Sequence, residues 1–514
     1  MLRITGKIYT GRMDAPTTDA VLVGDDGKIV AVGEGAKQAH AEAILLGDRV
    51  AVPGFIDAHM HLEGLAQQLT QLLLSDATSL DDALERVRER CTSSPEDEVV
   101  FGTAWDESDW ADPAIPDREA IDTVAPGHAV VLRRVCGHLW VVNSKALERI
   151  AARDDLTGAQ RERLGAVSAD GMLREGDIAL AAPLAAQSPE RMKDGLREAM
   201  RHALSLGATG LQDMGSLTLG KQPRRTVGNV IDCLSELDRA GELPVRVVVS
   251  VRLSALDEDD PAASFEGLHG TMLHPGPVKI FLDGSIGAQT AAISEPFTDD
   301  PGNTGQLLWD EGELERVVER LHLAGCQLAL HAIGDRAIRQ ALDVLGQVLA
   351  RHPRRDHRHR IEHLEIVGPE QLERMGDMVV IASMQPNFVG RWHTPGGLYE
   401  KRLGAARTGT LNPLRSILEA GVPLAFGSDG MPFGPLYGVR SAIEHATRAE
   451  RLTFAQALHA YTLTAAFAGR IEHLTGSVEA GKQADLAVLS ADPADAGEVR
   501  VEEVFVAGRR RFPF

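Results

Sequence analysis

Two histidines one residue apart end a hydrophobic run in the segment PGFIDAHMHLEG, residues 53–64. In a β-strand, side chains two positions apart point the same way, so His59 and His61 can direct their imidazoles at one point. Histidine is the commonest metal ligand in proteins. An isolated pair at this spacing more often only marks the end of a strand, so a predicted metal site depends on finding partners.

Further candidate ligands lie in other β-rich runs of the chain. Lys279 lies in VKIFLDG, His331 in LALHAIG, His363 in RIEHLEI and Asp429 in LAFGSDG. In a parallel barrel these side chains converge at the C-terminal strand ends, although Lys279 lies near the start of its run. Four histidines and one carboxylate predict a site for one or two divalent metal ions, with zinc as the expected ion.

The lysine is an unusual neighbour for metal ions, because dications repel an ammonium. Neutralising a lysine at pH 7 costs about 4–5 kcal/mol from its ordinary pKa near 10.4. A neutral amine can add carbon dioxide and become a carbamate, whose two oxygens can bridge two metals. With this carbamate, Asp429 and a bridging hydroxide, two dications leave a net charge of about +1, whereas unmodified Lys279 leaves about +3. The sequence therefore predicts N6-carboxylation of Lys279.

Eight β-rich runs alternate with helical patterns, which predicts a parallel sheet with crossover helices. The runs are residues 54–59, 209–214, 245–251, 278–284, 328–334, 360–366, 379–385 and 424–430. Eight parallel strands close a (β/α)8 barrel, whose reactive groups sit at the C-terminal strand ends. We therefore predict an α/β fold with a TIM barrel over residues 53–474.

The two ends of the chain and one internal segment depart from this rhythm. Residues 1–52 and 475–514 contain short strand patterns around turns, such as DDGK at residues 25–28. They predict one small β-sandwich domain that both chain termini form together. Residues from about 65 to 185 include VVFGTAWDESDW and AVVLRRVCGHLWVVN and predict an insertion near the barrel mouth.

Composition limits the classes of function. The chain has 514 residues and a formal net charge of −21, which argues against a nucleic-acid partner. The one basic cluster, RHPRRDHRHR at residues 351–360, is interpreted as a solvated connection. The four cysteines lack CxxC spacing, which disfavours a thiolate zinc site. Without a run of about 18 apolar residues or a signal-peptide pattern, we expect a cytoplasmic protein with a small-molecule substrate and no membrane partner, and we leave a homodimer open.

Polar residues just beyond the strand ends are candidates for substrate contact. Asp283, in LDGS, and Asp335 with Arg336, in IGDR, follow predicted strands, where structural capping explains them equally well. In the segment MQPNF, Asn387 is favoured over Gln385 as the partner of a substrate carbonyl, because Asn387 lies nearer the loop.

The predicted insertion carries aromatic candidates. Trp105, Trp110 and Trp140 lie in this one segment of a chain with only 4% aromatic residues, which suggests an apolar lid over a substrate. His138, in GHLWVVN, belongs to the same segment and is a further candidate for substrate contact. Packing within the segment itself is the alternative for each of these residues.

Several motifs together resemble those of a known family. PGFIDAHMH, VKIFLDGSIGAQTA, HAIGDRA, RIEH, FGSD and GSVEAGKQADLAVL resemble the amidohydrolase superfamily, in particular amidohydrolase family 3, and are similar to N-substituted formamide deformylases. The resemblance spans nearly the whole chain and implies a metal-dependent hydrolase barrel with a β-sandwich. It places the metal ligands at His59, His61, Lys279, His331, His363 and Asp429, and it implies that Asp429 also handles protons.

The resemblance, the absence of a basic stripe for phosphates and the tryptophans of the insertion together predict hydrolysis of a non-peptide carbon–nitrogen bond in a small, largely uncharged molecule. Zinc can lower the pKa of bound water to near 7, so hydroxide is the expected nucleophile, and Asp429 would pass its proton to the leaving nitrogen. A cyclic amide hydrolase and a heterocycle deaminase remain open, as do the less favoured phosphotriesterase and a non-catalytic binding barrel. Fold alone does not separate these activities.

Overall fold

The computed structural model describes residues 1–95, 97–107, 110, 112, 114–134, 139–174, 177–185, 188–215, 230–256, 260–265, 268, 270–495 and 497–514. The chain divides into two compact units. The first unit comprises Met1–Gly64 and Leu196–Phe514, and the second comprises Leu65–Gly195.

The first unit contains a parallel eight-stranded barrel sheet in which each strand pairs with its neighbours in chain order. Its strands are β1 (Phe55–Met60), β2 (Ala208–Asp213), β3 (Arg246–Arg252), β4 (Leu273–Phe281), β5 (Leu328–Ala332), β6 (Arg360–His363), β7 (Ile381–Met384) and β8 (Leu424–Phe426). Each overlaps one of the eight predicted runs, and the predicted α/β barrel is confirmed. Strand β4 begins at Leu273, five residues before the predicted run, so Lys279 lies near its C-terminal end.

The first and last strands meet through the segment that follows β8. The amide of Asp429 donates to the carbonyl of His59 at 2.7 Å, and the amide of Ser428 donates to the Asp57 carboxylate at 3.0 Å. A Cβ atom on Gly427 would lie 2.3 Å from the amide nitrogen of His59, so only glycine permits this close approach. The barrel is thereby nearly closed between β8 and β1.

Helices cover the outside of the barrel sheet. The helix Asp335–Arg351, between β5 and β6, shows how the sequence achieves this, because its apolar residues recur at helical spacing and are buried. The other helices of this unit are Glu34–Lys37, Val230–Arg239, Glu311–Leu323, Pro369–Met378, Pro386–Trp392, Leu398–Thr408, Leu414–Glu419, Pro435–Ile443, Phe454–Tyr461 and Leu463–Ala468, and short 3-10 helices span Leu253–Ala255, Pro261–Phe265 and Arg448–Glu450. The helices Leu62–Thr70 and Pro189–Ser205 run across the limits of the two units.

Strands from both ends of the chain form one seven-stranded sheet in the first unit. In sheet order they are Arg509–Phe512, Val501–Val506, Leu486–Leu489, Glu42–Pro53, Leu2–Tyr9, Thr17–Val23 and Ile29–Val32. The C-terminal strand Leu486–Leu489 pairs antiparallel with the N-terminal strand Glu42–Pro53, which joins the two ends. Gly27, in the predicted DDGK turn, has a φ of 79°, a conformation that glycine adopts without strain.

The second unit has its own five-stranded sheet. Its strands, in sheet order, are Met172–Arg174, Leu139–Val142, Ala129–Arg134, Val99–Trp105 and Leu72–Leu73. Its helices are Leu80–Ser93, Arg118–Val124, Ser144–Ala151, Gly158–Val167 and Ile178–Ala185. Two separate apolar clusters pack against this sheet, and residues 65–185 therefore carry a core of their own.

The basic segment at residues 351–360 is not a solvated connection throughout, which corrects our interpretation of its composition. His357 and His359 are buried, and His359 hydrogen-bonds to the buried His322 with 2.9 Å between ring nitrogens. Arg360, at the end of this segment, is fully buried as well. Among the described residues, no helix combines the length and the apolar character that crossing a membrane requires.

Candidate metal centre

One half of the candidate centre joins the ends of β1 and β8. His59 is the penultimate residue of β1, His61 follows that strand, and Asp429 lies just after β8. The Oδ1 atom of Asp429 lies 3.3 Å from Nε2 of His61 and 3.8 Å from Nε2 of His59. One potential ligand atom from each of the three residues lies within 4.8 Å of the others, so they could hold a metal ion together.

The other half of the centre joins the ends of β5 and β6. The ring centroids of His331 and His363 lie 4.5 Å apart, and the ring centroid of His363 lies 4.7 Å from that of His59. The four imidazoles therefore form one continuous group at the C-terminal ends of the strands.

The backbone is strained at two residues of the centre. His363 has a φ of 73° and Asp429 a φ of 53°, both in the left-handed region that non-glycine residues rarely adopt. Such conformations persist where the surrounding structure holds them, and they cluster at functional sites. Here they turn the chain at the ends of β6 and β8.

Lys279 is buried in the same part of the barrel. Burial lowers the pKa of Lys279 to about 8. Burial also lowers the pKa of all four histidines, and the charge of Lys279 lowers each of them further. The Lys279 Nζ atom has no hydrogen-bond partner within the described part of the chain.

Each histidine commits one ring nitrogen to a neighbour. The partners are Glu362 Oε2 for His59 Nδ1 at 2.5 Å, the Gly215 carbonyl for His61 Nδ1 at 2.7 Å, the Gly284 carbonyl for His331 Nε2 at 3.0 Å, and Gln385 Oε1 for His363 Nδ1 at 2.8 Å. Such bonds fix the ring orientation and leave the other nitrogen available as a ligand. Burial lowers the pKa of His61 to about 4 and that of His331 to about 3, so both rings are neutral at pH 7, as metal ligation requires.

The donor set fits a divalent metal ion. His59 Nε2, His331 Nδ1 and Lys279 Nζ are buried nitrogen atoms without a hydrogen-bond partner among the described residues. A buried polar atom left without a partner costs about 1–3 kcal/mol, so three in one group indicate a site shaped for a ligand. Neutral imidazole nitrogens with a carboxylate are the donors that zinc and similar ions prefer.

Sequence reasoning missed a buried ion pair behind the centre. Glu362, which accepts the hydrogen bond from His59, is itself bonded to Arg360, and both side chains are fully buried. Burial opposes ionisation of Glu362, but the charges of Arg360 and Lys279 outweigh it and hold its pKa below the usual value. The available signal was a pair of opposite charges, Arg360 and Glu362, within the short strand RIEH, since such residues are almost never fully buried unless they are paired.

Three residues predicted to contact substrate form hydrogen bonds within the loops that follow β4 and β5. The Asp283 carboxylate accepts hydrogen bonds from the amides of Ala292, Ile333 and Gly334, at 2.8–3.0 Å. Asp335 accepts from the amide and the hydroxyl of Ser294. Arg336 donates from its backbone to the carbonyl of Ala292 and from its side chain to Thr304. These contacts are structural, and a substrate role for the three residues stays a prediction.

Asn387 holds a loop, whereas Gln385 contacts the centre. The Asn387 amide donates to the carbonyl of Pro432 at 2.7 Å, and its oxygen accepts from the Tyr461 hydroxyl at 2.7 Å. Pro432 belongs to the segment that follows Asp429. The observed contacts of Asn387 therefore brace this segment, and Gln385, which we had ranked lower, is the residue that bonds to His363.

The tryptophans of the second unit pack in two different cores. Trp105 is fully buried beside Trp110 in one cluster, whereas Trp140 belongs to the other. Trp140 packs against Phe101, with ring centroids 5.4 Å apart. This packing favours a structural role for Trp105. The predicted candidate His138 lies outside the described residues.

Comparisons with known proteins agree with these features. A family model described as "Amidohydrolase family" matches residues 42–512. Protein LONG AFTER FAR-RED 3 of Arabidopsis thaliana is 28% identical over all of this chain and 91% of its own length. N-substituted formamide deformylase of Arthrobacter pascens is 27% identical over 96% of this chain and 94% of its own length.

A solved structure shows the same architecture. An uncharacterized metal-dependent hydrolase from Pyrococcus furiosus superimposes with a TM-score of 0.76 and 27% identity, over 96% of this chain and 100% of that one. The family model covers nearly the whole chain, including both ends of the barrel and all six candidate ligands. This chain therefore belongs to the amidohydrolase family.

Proposed function

We propose that the chain is a metal-dependent hydrolase that cleaves a non-peptide, amide-type carbon–nitrogen bond in a small molecule. The observation that carries this proposal is the group of buried nitrogen atoms without hydrogen-bond partners at the C-terminal strand ends. The similarity to an N-substituted formamide deformylase over nearly the whole chain supports an amide-type substrate.

The proposed metal positions divide the ligands into two sets. His59, His61 and Asp429 would hold one divalent ion, expected to be zinc, and His331 with His363 would hold a second. A bound divalent ion polarises a carbonyl and lowers the pKa of water. The buried rings keep their ligand nitrogens unprotonated, and the hydrogen bonds behind them fix where those nitrogens point.

Asp429 is the proposed catalytic residue. In the metal-free protein, burial raises the pKa of its carboxyl to about 7, so this carboxylate accepts a proton more readily than an exposed aspartate does. Its side chain is 19% exposed, compared with 1% for His59, so it is the more accessible of the two groups. Asp429 would accept a proton from the attacking water and deliver it to the leaving nitrogen.

Lys279 is the proposed site of carboxylation. Burial lowers the pKa of its amine to about 8, which increases the neutral fraction that can add carbon dioxide. The product is an anion in a place where an ammonium would face dications. Its two oxygens would then be available to both sets of ligands.

Metal analysis combined with a hydrolysis screen tests the proposed function. We expect one or two divalent ions per chain and turnover of at least one substrate among formamides, N-acyl amines, cyclic ureas, aryl esters and a phosphotriester. The active substrate should be an amide-type compound. Protein that contains no metal, or that prefers the phosphotriester to every amide tested, would contradict the proposal.

A pair of histidine variants makes the metal measurement specific. His61→Ala removes a ligand at the end of β1 and should lower the metal content measured by elemental analysis. His473→Ala replaces an exposed histidine of the same unit and should leave the metal content unchanged. Equal metal content in both variants would remove His61 from the set of ligands.

A further inference from the structure

The two halves of the metal centre differ in the acceptors that hydrogen-bond to their histidines. His59 donates from Nδ1 to a carboxylate oxygen of Glu362 at 2.5 Å. His363 donates to the neutral amide oxygen of Gln385, at 2.8 Å. His61 and His331 each bond to a backbone carbonyl. Within the described part of the chain, His59 is therefore the only one of the four histidines that hydrogen-bonds to a charged acceptor through its second nitrogen.

Arg360 holds Glu362 as a carboxylate. The Nε atom of Arg360 donates to Oε1 of Glu362, and its Nη2 atom lies 3.1 Å from Oε2. The other donors of Arg360 reach Gln212 Oε1, the Ala58 carbonyl and Ser383 Oγ, each at 2.6 Å. Strands β1, β2, β6 and β7 thus fix the guanidinium, which fixes Glu362 behind His59.

Asp283, a carboxylate close to His331, is held by other hydrogen bonds. Asp283 Oδ1 lies 3.6 Å from Nε2 of His331, but that nitrogen bonds to the Gly284 carbonyl at 3.0 Å. Three backbone amides donate to the Asp283 carboxylate. Asp283 therefore holds the loop after β5 and does not match the direct contact of Glu362 with His59.

Lys279 does not distinguish the two halves. Its Nζ atom is buried near the C-terminal end of β4 and has no hydrogen-bond partner among the described residues, so it is committed to neither half. A carbamate at this position would contribute to both. The clearest asymmetry outside the ligands themselves is the Glu362–Arg360 pair.

We propose that Glu362, positioned by Arg360, makes the position of His59, His61 and Asp429 the higher-affinity of two metal positions, so that this position fills first. The inference rests on the proposed function, since it requires a metal centre. A carboxylate that accepts the Nδ1 hydrogen increases the basicity of the opposite nitrogen, and losing such a partner typically lowers metal affinity 10–100-fold. Hydrogen bonds to neutral acceptors are about half as strong.

Competition titration of metal-free protein tests the inference. Protein stripped with a chelator is titrated with Co²⁺ against a chromophoric chelator, and we expect two affinities in the wild type. Glu362→Gln should weaken the tighter affinity about 10–100-fold and leave the weaker one nearly unchanged. His363→Ala, which disrupts the second position, should retain the tighter affinity and so identify it.

A converse variant keeps the test decisive if Glu362→Gln does not fold. Gln385→Glu places a carboxylate behind His363 and should strengthen the weaker affinity about tenfold or more, by the same effect. Thermal unfolding of the metal-free variants shows whether each one is folded.

The possible outcomes separate the inference from the proposed function. Two equal affinities in the wild type, an equal loss at both positions in Glu362→Gln, or no change in Gln385→Glu would overturn the inference alone. Failure of the wild type to bind Co²⁺ would overturn the inference and the proposed function together.

Discussion

The histidines of the candidate centre are chemically unequal although they are one residue type. Their positions could be predicted from the sequence, because strand ends and spacing determine which side chains share the barrel mouth. Their partners could not, because Glu362 and Gln385 act through tertiary contacts between strands. Nor does the sequence show that His331 commits its Nε2 atom to the backbone, since this depends on the Gly284 carbonyl beyond β4.

Carboxylation of Lys279 is a prediction at this scale. Metal-loaded protein prepared with ¹³C-bicarbonate should show a carbamate signal by ¹³C NMR, because the buried amine has a pKa of about 8 and faces the metal ligands. Lys279→Met should lose that signal and should bind less metal. Lys482→Met serves as the control, since Lys482 lies in the segment before the strand Leu486–Leu489, where it pairs with Glu479.

Two results would contradict carboxylation. The first is the absence of a carbamate signal from protein that holds two metals per chain. The second is a crystal structure with a bare Lys279 amine and both metals fully occupied.

At the scale of elements, the alternation of strand and helix patterns predicted all eight barrel strands. The error was largest in β4, which begins at Leu273 because the segment LHPG extends the pairing with β3. Glycine and proline in this segment indicated a turn, and tertiary pairing overrode that local preference. The hydrogen bonds that hold the loops were less predictable, since Asn387 bonds to Pro432, which lies 45 residues away in sequence.

Trp105 allows a prediction about the second unit. Its side chain is 0% exposed to solvent and packs within an apolar cluster, so Trp105→Ala should leave a cavity in the core. Truncating a buried tryptophan typically costs about 3–5 kcal/mol. We expect a lower unfolding temperature by calorimetry, whereas Leu69→Ala, at a position that is 39% exposed, should have little effect.

Kinetics decide between this packing role and a lid. If Trp105 only packs, Trp105→Ala should change kcat/KM for bulky and small N-substituted amides by the same factor at a temperature where the variant is folded. A loss confined to bulky amides would instead support the predicted lid.

At the scale of the whole molecule, composition predicted the net charge but did not predict which charged residues are buried. A net charge of −21 describes the surface, whereas the interior holds Lys279 and Arg360 beside Glu362. Strand order followed from the rule that successive parallel strands are neighbours. The pairing of the two chain ends was predicted from their strand patterns, but the buried histidines near residue 357 were not, because a basic segment is usually solvated.

These histidines make the stability of the molecule depend on pH. His322, His357 and His359 are buried and hydrogen-bonded as neutral rings, and burial lowers the pKa of each. The unfolded chain binds protons at these rings below pH 6.5, and the folded protein does not. Stability is therefore fully present above pH 6.5 and is lost as the pH falls from there toward the lower folded pKa values.

His359 has a pKa well below 6.5 in the folded protein, because it is buried beside His357 and His322. This one ring should account for a loss of about 1 kcal/mol between pH 7.5 and pH 5.5. We expect the unfolding temperature of metal-free protein to fall over this interval, and to fall less in His359→Leu, although that variant is less stable at pH 7.5. His473→Leu, at an exposed position, should follow the wild type. If His359→Leu and the wild type show the same pH dependence, the buried histidine is not responsible, and the metal-free centre becomes the better explanation for the loss of stability in acid.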